Sequence, residues 1–420
     1  MRILVLAHNH PDLHPGGTEI FAHDLFEAYK RAGHEALFVA ATNSLHRDQR
    51  PGTSFQTIGS SGDEVVFWAG HFDRFYMSQT DSYGALQDFA RLLADYKPDV
   101  LHLHHLLLAG AELPFLARRI LPKAEIVLTL HDYYPICHRD GLMLRTGSNQ
   151  RCSRSSPSAC HACFPDIGAD QFLLRAQNLK TLLKAVDRFI APSAFLRDRY
   201  VEWGLPPDSI AVLHNARPEV LPAPTLLDRG RTTFGFFGNL NPYKGVIVLL
   251  QAARYLRDQG VDFELRLNGG ALYQNENFGT AVDKLTEELQ GTVVRLGPYS
   301  RDRLPALMAG VNWVVVPSIW WENAPLVIQE AFQHRRPVIA SGIGGMAEMV
   351  KDGVNGMHVQ PDDPIDLARV MRRAIEEPGL HKQLVQGIKP ARDIDACALE
   401  HLSLFNTRMQ LRQASTEEVA

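Results

Sequence analysis

Two glutamates eight positions apart, Glu322 and Glu330, lie in the run Pro317-Ser-Ile-Trp-Trp-Glu-Asn-Ala-Pro-Leu-Val-Ile-Gln-Glu-Ala331. Carboxylates accept hydrogen bonds from hydroxyls, so one of the pair could grip a sugar and the other a ribose. The run follows an apolar stretch and opens a helix, where the N–H groups of Ala324, Leu326 and Val327 could meet an anion. Taken alone, the pair reads more readily as a solvated helix residue and a charge favoured by the helix dipole. His131, in Thr129-Leu-His-Asp-Tyr-Tyr134, ends an apolar run and could hydrogen-bond a ligand, or be a satisfied core histidine. Gly16 and Gly17, in Pro15-Gly-Gly-Thr-Glu19, let a backbone approach a ligand at a helix mouth, or simply cap the helix. This is not a G-x-G-x-x-G pattern, so a nicotinamide cofactor is unsupported. Lys244, in Phe237-Gly-Asn-Leu-Asn-Pro-Tyr-Lys-Gly245, offers a cation at a helix start. His102, His104 and His105 cluster at another strand end and read as cleft lining or core, with metal ligation the minor alternative.

Four of the five cysteines fall at Cys137-x14-Cys152-x7-Cys160-x2-Cys163. In a reducing compartment such a cluster reads as a structural zinc site ahead of disulfides or free thiols, and all three readings stay open. The insertion 137–166 has little apolar content to fold itself, which a metal would offset, and His138 and His161 are spare ligands. Four thiolates would close the coordination sphere, so a catalytic metal is not expected there. Cys397, alone on a helical stretch, reads as inert.

Short apolar runs alternating with amphipathic segments must position these groups. In the first half the strands are expected at Arg2–Ala7, Ala36–Ala40, Val65–Trp68, Val100–His104, Glu125–Leu130, Arg188–Ala191 and Ile210–Leu213. Helices are expected at Glu19–Arg31, Tyr83–Asp95, Ala109–Arg118, Gln171–Val186 and Ala194–Trp203. A linker rich in proline and glycine occupies 217–230, and the alternation then restarts. Pro325–His334 is among the expected helices, and Glu330 is placed two turns into it. This is an α/β protein of two doubly wound, Rossmann-like domains that should face each other across a cleft. The expected divisions are 1–216, the linker 217–230, 231–395, and a C-terminal helix in 396–420 that returns to the first domain.

The 420 residues carry 43 Lys and Arg against 47 Asp and Glu, a net charge of −4 that argues against a general nucleic-acid binder. Apolar stretches such as Val246–Leu250 are too short to span a bilayer, and the first residues lack the features of a signal peptide. The expectation is a cytoplasmic protein whose membrane contact, if any, is peripheral on the cytoplasmic face.

The segment Pro317–Ala331 resembles the E-x7-E motif of retaining glycosyltransferases of the GT-B fold, family 4 (glycosyl transferases group 1). It reads P-S-x-x-x-E-N-x-P-L-V-x-x-E-A, and Arg336-Pro-Val-Ile-Ala-Ser341 is similar to the family's continuation. The other motifs fall in family order along nearly the whole chain. The resemblance implies transfer of a sugar from a nucleotide diphosphate sugar to a glycan or lipid-linked acceptor, in cell-surface polysaccharide biosynthesis. It implies His131 on the transferred sugar, and Glu322 positioning that sugar with the backbone of Asn323, Ala324, Pro325 and Leu326. It further implies Glu330 on the ribose, Lys244 on the phosphates, and Gly16 and Gly17 at the donor phosphate and acceptor site. Asn239 stands where arginine is commoner, leaving the phosphate site one charge short. Asn268-Gly269-Gly270 and Leu296–Tyr299 resemble base-contacting segments, and Ser341–Gly345 with Glu348 a turn near the sugar. No cofactor is required for catalysis in this reading. Lys180, Lys184 and Arg188, at i, i+4 and i+8, read as a solvated helical face or as a contact for anionic lipid. Two other classes remain: a sugar-nucleotide epimerase of GT-B type, and a non-catalytic protein that binds sugar nucleotide or glycan.

Overall fold

The computed structural model describes residues 1–220, 230–270 and 276–417, with 406–417 as backbone alone. The chain forms two compact units, Met1–Pro218 with Arg392–Ala420, and Glu219–Ala391. Most of the linker expected at 217–230, including Pro222 and Pro224, lies outside the described residues.

The first unit contains β1 (Arg2–His8), β2 (Glu35–Thr42), β3 (Phe55–Thr57), β4 (Glu64–Trp68), a hairpin of β5 (Phe72–Asp73) and β6 (Ser78–Gln79), β7 (Val100–Leu103), β8 (Glu125–Thr129), β9 (Arg188–Ala191) and β10 (Ile210–Val212). Eight of these form one sheet in the order β10-β9-β8-β7-β1-β2-β4-β3, parallel except for the antiparallel edge strand β3. Strands β1 and β7 are buried nearly throughout, as a parallel sheet covered by helices demands. The chain moves outward from β1 to β2 and β4, then returns to build β7 to β10 on the other side. The order therefore reverses between β1 and β7, where open α/β sheets bind their ligands beyond the strands' carboxyl ends.

The last helix, Ile394–Glu417, packs on the helix Gly17–Arg31. Cys397, Ala398, Leu402 and Phe405 enter the apolar core beside Phe21, Leu25 and Tyr29, and Arg31 pairs with Asp395 at 2.6 Å. The unit boundary precedes this helix, at 391–392.

The second unit contains β11 (Thr232–Phe237), β12 (Phe263–Asn268), β13 (Val293–Gly297), β14 (Trp313–Val316), β15 (Val338–Ser341) and β16 (Gly356–Val359). Its sheet is all parallel in the order β13-β12-β11-β14-β15-β16, reversing between β11 and β14. The two-residue period divides its core: Phe234, Trp313, Val315 and Ile339 face one side, and Phe237, Val314, Val316 and Val338 the other.

Several expectations need correction. The helix expected from Ala109 begins at Leu113. The helix after β14 is Leu326–Gln333, so Glu330 stands one turn into it rather than two. The helix before β9 ends at Leu183 with Lys184 as its cap, and Arg188 opens β9. Lys180, Lys184 and Arg188 therefore share no helical face, which removes the observation that suggested a lipid contact. Among the described residues no helix is long and apolar enough to cross a membrane.

Candidate active site

At the switch point of the second unit, two loops leave neighbouring strand ends. One follows β11 through Gly238 and Asn239 to the single 3-10 turn Pro242–Lys244, which the Asn241 side chain caps by accepting from the N–H groups of Tyr243 and Lys244. The other follows β14 from Pro317 to Pro325. They are joined by charge. Lys244 Nζ lies 2.5 Å from Glu322 Oε1, which also accepts from Ser318 Oγ at 2.9 Å and Trp320 Nε1 at 3.1 Å. Glu322 is only 6% exposed, so its charge is compensated inside the protein.

Two glycines hold these loops together. Gly245 has φ +73°, and a Cβ there would run into the Pro317 carbonyl. Gly345 carries its backbone against Asn323, where a Cβ would run into the Asn323 carbonyl, and its N–H donates to Glu322 O at 2.8 Å. The expected Ser341–Gly345 turn thus opens a short helix, Gly344–Met349, that buttresses the Glu322 loop and carries Glu348. Pro325 caps the following helix, whose Leu326 and Val327 N–H groups have no intrahelical acceptor. Asn323 is buried, Ala324 is half-buried, and Glu330 is half-buried on the helix. Asn239 is exposed at the β11 end.

In the first unit, the ends of β1, β7 and β8 gather His8, His104, His105, His131 and Asp132. His104 Nδ1 lies 3.0 Å from His131 Nε2, and His105 Nε2 lies 2.5 Å from Asp132 Oδ2. Burial, with the nearby His105, lowers the pKa of His131 to about 3. Its imidazole is therefore neutral near pH 7, able to donate or accept one hydrogen bond but not to carry charge. Burial pushes the Asp132 carboxyl up, but His105 and the Tyr134 N–H outweigh it and hold the group below its usual range.

Glu19, in the first turn of the helix that Gly16 caps, is 2% exposed. Burial, with the Asp132 charge adding to it, raises its pKa to about 8. His8 Nε2 is 3.3 Å from Glu19 Oε1, and burial holds the His8 pKa well below its usual value. The strand ends of this unit thus gather a neutral carboxylic acid at Glu19, neutral imidazoles at His8, His104 and His131, and an ionised Asp132.

Residues 15–218 match the family Glycosyltransferase Family 4, and residues 219–390 match Glycosyl transferases group 1. These matches abut where the two units divide. The sucrose-phosphate synthase structure from Thermosynechococcus elongatus superposes with a TM-score of 0.72 at 20% identity, covering 99% of this chain and 100% of that one. Anabaena HepE in complex with UDP gives 0.66 at 17% identity, with coverage of 99% and 100%. The chain belongs to the GT-B glycosyltransferases.

Curated relatives of this GT-B chain include an uncharacterised glycosyltransferase of Methanocaldococcus jannaschii, 31% identical over 201 residues, covering 47% of this chain and 52% of that protein. A D-inositol 3-phosphate glycosyltransferase of Nocardioides is 32% identical over 190 residues, covering 42% and 39%. The chain thus spans about half the length, or less, of these relatives.

Of the residues singled out in the sequence of this GT-B chain, the structure brings Lys244 and Glu322 into direct contact and places His131 beside His104. Two were missed, Glu19 and Asp132. The signal was present: each adjoins a motif already noted, Gly16-Gly17 and His131. His102 points elsewhere, bonding Thr129 and Tyr29 in the core. Cys137, Cys152, Cys160 and Cys163 are half-buried, and Cys397 is buried. Burial raises the Cys137 pKa to about 11, against the N–H groups of Arg139 and Met143, and Cys160 and Cys152 add to the rise. Cys137 feels the charges of Cys160 and Cys152, so these thiols share a neighbourhood.

Glu19 gives a testable pH dependence. Its folded pKa of about 8 exceeds the ordinary 4.5, so the folded state holds a proton that the unfolded chain releases. Its contribution is fully present below about pH 4.5 and is lost as pH rises through about 8. Glu19→Gln removes that slope. Thermal melts across this window are expected to show the variant gaining steadily on the wild type, and a constant difference would contradict the assignment.

Proposed function

We propose that this chain transfers a sugar from a nucleoside diphosphate sugar to a hydroxyl of a glycan or lipid-linked acceptor, with retention of configuration. The observation that carries the reading is the Lys244–Glu322 pair at the switch point of the second unit. A lysine there can meet the departing diphosphate, assisted by the open amides at Leu326 and Val327, and this chemistry calls on no cofactor. Glu330 would hold the ribose. Glu322 Oε1 already accepts from Lys244, Ser318 and Trp320, which suits a positioning role and not that of a covalent nucleophile. Deprotonation of the acceptor then falls to the leaving phosphate on the same face. From the first unit, neutral His131 would bond a sugar hydroxyl, and the Gly16-Gly17 loop would adjoin the acceptor. Relatives solved with UDP and UDP-glucose make a UDP-sugar the first donor to test, and cell-surface polysaccharide synthesis is the proposed setting.

Exposed Asn239, where arginine is commoner, favours a second reading as a sugar-nucleotide-binding protein without turnover. Donor hydrolysis and transfer assays with UDP-, GDP- and dTDP-sugars, with and without acceptors, separate the two. Transfer supports the proposal; binding without turnover under every condition supports the alternative. Within the proposal, Glu330→Ala is expected to weaken nucleotide affinity by about 10- to 100-fold, corresponding to loss of one or two charge-assisted hydrogen bonds. His131→Ala is expected chiefly to lower kcat. Near-wild-type kinetics in both variants would contradict these roles.

A further inference from the structure

The first unit holds a cluster that the proposed reaction does not use. His10 follows β1, His23 lies on the helix Gly17–Arg31, and Glu64 opens β4. His10 Nε2 and His23 Nε2 each lie 2.8 Å from the same oxygen, Glu64 Oε2, and the three atoms fall within 4.8 Å of one another. Among the described residues this is the one trio of His, Cys, Asp or Glu ligand atoms so closely gathered.

The geometry points to a divalent-cation site at His10, His23 and Glu64, with zinc or a similar borderline metal as its ligand. Two imidazoles and a carboxylate are a donor set that such metals accept, with water completing the sphere. Atoms this close together can each come within about 2 Å of a common metal after small side-chain adjustments. His10 comes from the loop after β1, His23 from a helix and Glu64 from a strand, so the tertiary fold brings the three together.

Aromatic neighbours fix the ring planes. Phe38, on β2 between the elements, meets the His10 ring at 5.7 Å and the His23 ring at 5.2 Å, and Phe26 meets His23 at 5.6 Å. His10 is 3% exposed, while His23 at 25% leaves a path for the ion.

The same atoms can also satisfy one another as two N–H···O bonds, and a proton distinguishes the two arrangements. As a hydrogen-bonded trio, His10 carries its proton on Nε2 and accepts the Asp12 N–H at Nδ1, 3.2 Å away. As a metal ligand, His10 carries it on Nδ1. There the Asp12 carboxylate, 3.7 Å away and 79% exposed, can turn to accept it while the Asp12 N–H turns aside. That would be the carboxylate–histidine–metal arrangement that orients many imidazole ligands. A bound ion would tie the loop leading to Gly16 and Gly17 to the start of β4.

The test uses the full chain, reduced and stripped with chelator, titrated with Co²⁺ and followed by absorption spectroscopy and calorimetry. One Co²⁺ per chain is expected, with weak visible bands and without the intense near-ultraviolet band of sulfur ligation. Cys160→Ser is expected to leave this binding intact. His23→Ala and Glu64→Gln are each expected to weaken it at least about 100-fold, since loss of a second-shell partner alone costs 10- to 100-fold. His23 is partly exposed, and Glu64→Gln retains shape and a hydrogen-bonding oxygen, so folding is checked by circular dichroism in both. Absence of Co²⁺ binding by the wild type, a purely thiolate spectrum, or unchanged affinity in both variants overturns the site and leaves a hydrogen-bonded trio.

Discussion

Lys244→Ala is expected to lower kcat/KM for donor turnover by about 10²- to 10³-fold, the loss typical of removing one group that stabilises a developing oxyanion. Two effects act in the same direction. The ammonium that would face the diphosphate is gone. Its partner Glu322, only 6% exposed, loses its compensating cation and retains just the neutral donors Ser318 and Trp320. An uncompensated carboxylate beside a diphosphate repels it, so donor affinity falls along with kcat. The pair must therefore be non-additive: Glu322→Gln in the Lys244→Ala background is expected to recover part of the lost donor affinity. Steady-state kinetics and donor titrations of the four-member cycle check this. An additive cycle, or a single-variant loss under about threefold, would contradict the coupling.

Gly345→Ala is expected to remove donor binding and to destabilise the second unit by about 2–4 kcal/mol, lowering Tm by on the order of 10 °C. The added methyl group would run into the Asn323 backbone carbonyl, and backbone yields less readily than a side-chain tip. Relief requires the helix Gly344–Met349 or the Glu322 loop to move, breaking the Gly345 N–H bond to Glu322 O. Gly279→Ala is the control. It lies in the helix Glu276–Glu288 with open space around its would-be Cβ, and there alanine should be neutral or slightly stabilising. Differential scanning fluorimetry and nucleotide titration of both variants decide the matter; equal melting temperatures would contradict the buttress.

Much of this was legible in the residues because parallel α/β sheets bury their strands on both faces. Ile3–Ala7 and Trp313–Val316 read as unbroken apolar runs and Val100–Leu103 as one interrupted only by His102, and their neighbours as amphipathic helices. Strand β3 did not show: three residues, Phe55–Thr57, alternate too briefly to stand out, and pairing with β4 decides them. The helix Leu380–Gly387 was hidden for a similar reason, its eight residues burying only Leu380 and Leu384. Within the candidate site, Lys244 and Glu322 could be found singly by their positions at strand ends. Their contact could not, because 78 residues separate them and only the order of β11 and β14 brings them together. Glu19 looked like an ordinary acidic residue in a first helical turn. Its raised pKa comes chiefly from burial, a property of packing.

The most direct test is a crystal structure of the chain with a bound nucleoside diphosphate sugar that supports turnover. The ribose hydroxyls should lie within hydrogen-bond distance of Glu330, and the diphosphate should lie against Lys244 and the Leu326–Val327 amides. A nucleotide seated elsewhere, with the Lys244–Glu322 pair untouched, would contradict the assignment of this site.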